Sequence, residues 1–166
     1  HKTLRGPRGG FILCKEEFRE TIDKGCPLVL GGPLPHVMAA KAIAFEEASK
    51  PSFKTYANQI VKNAQALAEE LKEQGADLLT DGTDNHLVVM KTTNFGLSGK
   101  QAEEALRQAG MTLNRNTIPF DTLAPWLGSG IRFGTAAMTS LGMEEKEMKQ
   151  IGRLMIKVLK HTTALE

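Results

Sequence analysis

Four groups of residues in this sequence could do chemistry. Lys2 carries an amine, and a free amine attacks carbonyl carbon when its surroundings or a carbonyl partner activate it. It lies in His1-Lys2-Thr3-Leu4-Arg5-Gly6-Pro7-Arg8-Gly9-Gly10, where glycines let the backbone pass close to a flat ligand. Read alone, Lys2 is a solvated charge in a loop. Gly31-Gly32-Pro33-Leu34-Pro35-His36 puts glycines ahead of a helix, whose first N–H groups suit a phosphate; read alone, a plain turn before a helix is the better account. Arg132 sits in Ser129-Gly130-Ile131-Arg132-Phe133-Gly134-Thr135. Its planar fork matches a carboxylate, although a surface ion pair would also account for it. Asn116, in Asn114-Arg115-Asn116-Thr117-Ile118-Pro119, offers a donor and an acceptor that match an amide-like ring edge, or forms a turn. Thr83-Asp84-Asn85-His86-Leu87 pairs His with Asp, but no third ligand stands at helix or strand spacing, so no metal is expected.

The elements that must position these groups follow from periodicity. Residues 1–10 form a loop, and Phe11 to Cys14 reads as a short buried strand. Glu16 to Asp23 is a short helix, Lys24 to Pro35 a loop, and His36 to Ala48 a helix apolar on most faces and therefore expected to be buried. Pro51 breaks the chain, and Ser52 caps a long helix to about Gln74 stopped by Gly75. Leu78-Leu79 and His86 to Lys91 read as strands about the turn Thr80 to Asn85. Ser98 and Gln101 form a capping box for a helix to about Ala109, stopped by Gly110. Met111 to Leu113 is a strand, Asn114 to Gly128 a long irregular loop, Gly130 to Phe133 a strand, and Glu144 to Lys160 a helix. The fold class is therefore α+β: a small, mainly antiparallel sheet covered by helices on one side. Residues 1–35 read as the tail of a larger preceding domain, 36–51 as a connecting helix, and 52–166 as a C-terminal small domain.

Composition narrows the function classes. The 166 residues are 41% apolar and 24% charged, the balance of a soluble globular protein, and the formal charge of +2 is too small for a nucleic-acid surface. No apolar run approaches the ~20 residues of a membrane span, and no signal peptide is visible. Cys14 and Cys26 stand among apolar neighbours and read as reduced, buried thiols of a cytoplasmic protein. The chain starts at His1 rather than Met and ends Ala164-Leu165-Glu166, a vector-like tail; a chain cut from a longer protein is the expectation.

The string from His1 to Gly10 resembles, nearly letter for letter, the cofactor-lysine segment of serine hydroxymethyltransferases. Residues 31–41, 83–87 and 129–135 resemble further landmarks of that family, in its order. The resemblance runs from His1 to about His161. It implies the small domain of a fold-type-I pyridoxal-phosphate enzyme with part of its large domain. The implied reaction interconverts serine and tetrahydrofolate with glycine and 5,10-methylenetetrahydrofolate. By the same resemblance Lys2 forms the internal aldimine with pyridoxal phosphate, and His1 shapes the pocket. Arg8, Gly31 and Gly32 join Lys2 in holding the cofactor, and Arg132 takes the substrate carboxylate. Asn116, Ala124, Pro125, Trp126 and Glu16 bind the folate co-substrate. A homodimer or dimer of dimers is implied, with the glycine pair reaching the partner's cofactor. The family's aspartate for the pyridine nitrogen, its stacking ring and its acid/base glutamate have no place after residue 1, so this span alone is expected to be inactive. Two stretches depart from the family pattern: Cys26-Pro27-Leu28-Val29-Leu30 replaces Phe-Pro-Gly-x-Gln, and Leu141 replaces the commoner Arg after Thr139-Ser140. The alternatives are another fold-type-I enzyme, such as a threonine aldolase or aminotransferase, and a non-catalytic interaction domain.

Overall fold

A computed structural model describes residues 1–162; the vector-like Ala164-Leu165-Glu166 lies outside the described residues. The chain divides into two compact units, His1–Thr55 and Tyr56–Glu166.

The first unit is helical. A 3-10 turn at Glu16–Phe18 leads into α1, Arg19–Leu28, which is longer than the expected Glu16–Asp23. Cys26 is extended inside it (φ −108°, ψ 105°), because the residue before a proline is pushed out of the helical region. Helix α2, Pro35–Ala48, opens with proline in its first turn, where the missing N–H costs nothing. Three expectations are corrected here. Phe11 to Cys14 is not a strand: a strand needs a ladder partner, and among the described residues this unit has none. Phe11 instead stacks edge-on against Phe45 of α2, centroids 5.4 Å apart, while Leu13 is 87% exposed. Helix α2 buries only Ala44 within the chain, and its Met38, Ile43 and Phe45 are exposed. Cys14 and Cys26 are free but exposed rather than buried.

Helix α3, Pro51–Glu73, starts at the proline expected to break the chain, and Ser52 lies inside it rather than capping it. It runs on through the second unit and ends as expected at Gly75 (φ 90°). There the Ala76 N–H bonds the Leu71 carbonyl at 2.9 Å and the Gly75 N–H bonds that of Lys72 at 2.9 Å, a Schellman closure.

The sheet has three antiparallel strands in the order β1-β3-β2: β1 Leu87–Lys91, β2 Asn114–Asn116 and β3 Gly130–Gly134. Leu78 makes only an isolated bridge to Met90, and Leu79–Asp81 is a 3-10 turn. Strand β2 begins three residues beyond the expected Met111. Gly110 (φ 83°) closes α4, Gly99–Gln108, through bonds from the Met111 N–H to Leu106 and from the Gly110 N–H to Arg107, so the next residues serve to end the helix. A short helix after β3, α5 at Ala136–Ser140, was not expected; α6, Glu145–His161, was.

One sheet face is covered. Val88 and Met90 of β1 and Ile131 of β3 are buried against Leu67 and Leu71 of α3, Leu106 of α4, and Met155, Ile156 and Leu159 of α6. Between α3 and α6, Arg153 donates to the buried Glu70 from Nε (2.9 Å) and Nη2 (3.1 Å). Those bonds hold the Glu70 carboxyl below its ordinary value. The architecture is the expected α+β sheet with helices on one face.

Leu106 is fully buried. Leu106→Ala is expected to lower unfolding free energy by about 2–5 kcal/mol through the cavity it opens, read as a lower urea midpoint at unchanged slope.

Candidate active site

In the first unit, Arg8, Gly31 and Gly32 line one cavity of about 570 Å³ together with Lys41 and Met38 of α2. Gly31 takes φ 76° in the loop between α1 and α2, a conformation that suits a residue without Cβ. Lys41 was missed by the sequence reading. Its Nζ donates to the Gly10 carbonyl at 2.7 Å, and a Cβ on Gly9 would stand 2.9 Å from that nitrogen. The signal was available: Lys41 is the one charged residue in the run Val37 to Phe45. Two cations beside exposed glycine backbone are what an anion such as a phosphate needs. Lys2 and His1 are exposed and do not line this cavity. The Lys2 carbonyl accepts the Arg5 N–H at 3.0 Å, a turn that holds the segment's backbone. Glu16 lies in the 3-10 turn with its carboxylate 3.3 Å from Arg19 Nη1.

In the second unit, strand pairing places Arg132. Antiparallel partners share a face and successive residues alternate. Met90 pairs with the buried Ile131, so Arg132, opposite Val89 and Asn114, projects from the uncovered face. It is exposed, and among the described residues no hydrogen bond or ion pair engages its guanidinium. Asn116, opposite Gly130, shares that face; its Nδ2 donates to the Thr117 carbonyl at 2.6 Å. Ala124, Pro125 and Trp126 lie in the segment returning to β3, and the Ala124 carbonyl accepts the Leu127 N–H (2.8 Å) and the Gly128 N–H (3.0 Å). Trp126 is 69% exposed.

Asp121 organises that segment and was not singled out in the sequence. Its Oδ2 accepts the N–H groups of Ile118 (3.1 Å) and Ser129 (2.9 Å). Its Oδ1 accepts the Leu123 N–H at 2.9 Å and the Ser129 hydroxyl. The Ser129 hydroxyl, together with these N–H groups, pulls its pKa down from 3.8 to about 2, because all four bonds favour the ionised form. Thr83 to Leu87 forms the turn into β1: Thr83 Oγ1 donates to the Leu87 carbonyl at 2.7 Å, and Asn85 Oδ1 accepts the Leu87 N–H at 2.8 Å.

Beyond β3, Thr135 Oγ1 donates to the Ile60 carbonyl of α3 at 2.8 Å. The buried Asn63 donates to Thr139 Oγ1 (2.8 Å) and to the Met143 carbonyl (2.9 Å), and accepts from Gln59 Nε2 (3.0 Å). No helix among the described residues is long and apolar enough to cross a membrane.

The second unit is thus of the α+β class, a three-stranded antiparallel sheet with helices on one face and an exposed arginine on the other, and the first carries a glycine-lined cavity with two cations. Comparison with known sequences is more specific. The family model for serine hydroxymethyltransferase matches residues 1–155. A serine hydroxymethyltransferase of Treponema pallidum (strain Nichols) is 63% identical over 159 residues, 96% of this chain and 28% of that protein. Those of Chlamydia abortus and Salinispora tropica are 52% and 54% identical, each over 98% of this chain and 33% and 34% of their own length. The chain belongs to the serine hydroxymethyltransferase family, and it spans about a third of the length of the curated relatives it matches.

The Asp121 shift predicts an acid dependence. A depressed folded pKa contributes stability that is fully present above the ordinary value and lost as pH falls from 3.8 through about 2. Trp126 is the sole tryptophan and lies in the same segment. Its emission should therefore report loosening over that window, and Asp121→Asn should remove this titration and leave the segment loosened at neutral pH as well.

Proposed function

We propose that this chain is the C-terminal portion of a pyridoxal-phosphate-dependent glycine hydroxymethyltransferase. The whole protein moves the hydroxymethyl carbon of serine to tetrahydrofolate, giving glycine and 5,10-methylenetetrahydrofolate. The observation that carries this reading is Arg132: an unengaged guanidinium on the open face of a sheet whose other face is packed. A guanidinium so placed can grip an α-carboxylate through two parallel bonds.

The residues present supply the group types the cofactor needs, phosphate-binding groups around one cavity and the Lys2 amine outside it. Arg8, Lys41 and the Gly31-Gly32 backbone supply cationic and amide groups around one cavity, suited to the phosphate. Lys2 supplies an exposed amine that would hold the cofactor's carbonyl carbon. When bound, pyridoxal phosphate supplies an electron sink for charge developing at Cα. Arg132 orients the amino acid so that the bond to be broken is presented correctly, a positioning effect. His1 shapes the pocket beside Lys2. Asn116 offers donor and acceptor to the pterin edge, Ala124, Pro125 and Trp126 contact the rest of the folate, and Glu16 completes that set.

In this reading residues 1–35 belong to the large domain, 36–51 connect, and 52–166 form the small domain. The parent acts in the cytoplasm as a homodimer or dimer of dimers, and this span alone is inactive.

Two variants in the full-length enzyme test the assignment. Lys2→Ala should leave no borohydride-fixable cofactor adduct on the protein while the fold persists. Arg132→Lys should keep cofactor content but lose about ten- to a hundredfold in kcat/KM for serine, because one charge-assisted bond of the fork is gone. Unchanged serine kinetics would remove Arg132 from the site.

The isolated chain, dialysed against excess pyridoxal phosphate, should retain no stoichiometric cofactor and show no folate-dependent serine cleavage. Retention with turnover would mean that the residues described here suffice.

A further inference from the structure

The excursion from β2 to β3 leaves the sheet after Asn116 and returns at Gly130, carrying Ala124, Pro125 and Trp126 between. Asp121 ties its two feet together. Its Oδ2 alone bridges Ile118, two residues after Asn116, and Ser129, three residues before Arg132. Its Oδ1 holds Leu123, beside Ala124, and the Ser129 hydroxyl. An ionised carboxylate only accepts, and all four partners are donors, so nothing in the arrangement is mismatched.

The clamp continues inward. The Ser129 carbonyl accepts from both the N–H (2.9 Å) and the hydroxyl (3.1 Å) of the buried Thr92, which follows β1. The first amides of α4 close the other side: the Gly99 N–H bonds the Gly128 carbonyl at 2.7 Å and the Lys100 N–H bonds that of Leu127 at 2.9 Å. Gly99 permits this approach, since a Cβ there would press on the carbonyls of Leu127 (3.1 Å) and Gly128 (3.2 Å).

We infer that Asp121 is a shared positioning residue: one carboxylate anchors both the entry of the strand that presents Arg132 and the loop that presents Asn116 and Ala124 to Trp126. The inference rests on the roles proposed above for Arg132 and the folate loop, and it deepens them, because it makes the two substrate sites mechanically dependent on one group that contacts neither substrate. Displacement at this hub must reach both sites, whereas a defect in either site alone touches one.

The test is steady-state kinetics of the full-length holoenzyme, with KM for serine and KM for tetrahydrofolate measured separately. Asp121→Asn replaces an acceptor pair by one acceptor and one donor that faces N–H groups. It is expected to raise both KM values together by roughly tenfold, with a smaller fall in kcat and unchanged cofactor absorbance, since small misplacements act on alignment. Ser129→Ala, which removes only the hydroxyl donor, should shift both constants in the same direction by less. Leu159→Ala, a core truncation in α6, controls for lost stability and should move neither. Arg132→Lys should raise the serine constant alone. If Arg132→Lys raises the serine constant but Asp121→Asn moves one constant only, or neither, the shared role is overturned while the Arg132 assignment stands. If Arg132→Lys leaves serine untouched, the underlying reading falls and this inference with it. If Asp121→Asn does not fold, Ser129→Ala decides: a joint rise supports the clamp, and any other result overturns it.

Discussion

In a strand, neighbouring side chains point to opposite faces, and β3 uses that alternation at its centre. Ile131 is fully buried against Met90, and Arg132, the next residue, is exposed on the far face. A slip of one residue would drive the guanidinium into the core and the isoleucine into water, so the register is strongly specified. Both edges of β3 are paired, by β1 and β2, which satisfies its backbone and leaves its side chains to do the rest. The flanking glycines are part of the same constraint. A Cβ at Gly130 would stand 2.8 Å from Ile118 Cγ2, and one at Gly134 would stand 2.7 Å from the His86 carbonyl.

With the phase set by packing, the ends of the strand are set by polar bonds. Toward its start, Asp121 and Thr92 hold Ser129; past its end, Thr135 reaches the Ile60 carbonyl, and Thr139 and Asn63 continue the chain of bonds into α3. Among the described residues no buried side-chain nitrogen or oxygen lacks a partner. Buried polar groups that are fully paired add direction to a core, whereas unpaired ones would weaken it. Directionality is what a strand needs to aim one side chain, as the role proposed for Arg132 requires, beyond hydrophobic burial, which has no preferred angle.

Helices α3, α4 and α6 were legible from their period, and α3 and α4 also from the glycines that end them, although Ser52 lies inside α3 rather than capping it. The Ser98–Gln101 box forms as the spacing predicts, with the Ser98 N–H 2.9 Å from Gln101 Oε1, and Gly75 and Gly110 take the positive φ their positions imply. The misses are tertiary. Asn114-Arg115-Asn116 has little intrinsic strand preference and becomes β2 only because β3 offers a ladder. Phe11 to Cys14 has the composition of a strand and no ladder. Helix α5 is too short for its period to show. In the site, Arg132 stood out through its glycine frame. Asp121 did not, because its role is defined by which backbone N–H groups converge on it, and no spacing in the sequence records that convergence.

The two central residues of the proposed chemistry make different demands on a scaffold. A guanidinium stays charged in almost any setting and needs only aim, which the second unit supplies through its closed core and clamped strand ends. An amine that attacks carbonyl carbon needs more: a setting that frees its lone pair, or a carbonyl held against it. Lys2 is exposed, outside the cavity that Arg8 and the glycine pair line. In the first unit Phe11, Ile12, Leu13, Leu28 and Val29 keep their apolar surface exposed within this chain, whereas the continuous core of buried apolar side chains lies in the second unit. The lysine proposed to react therefore stands on the unit with little core of its own, and the arginine proposed to bind a carboxylate on the unit that carries one.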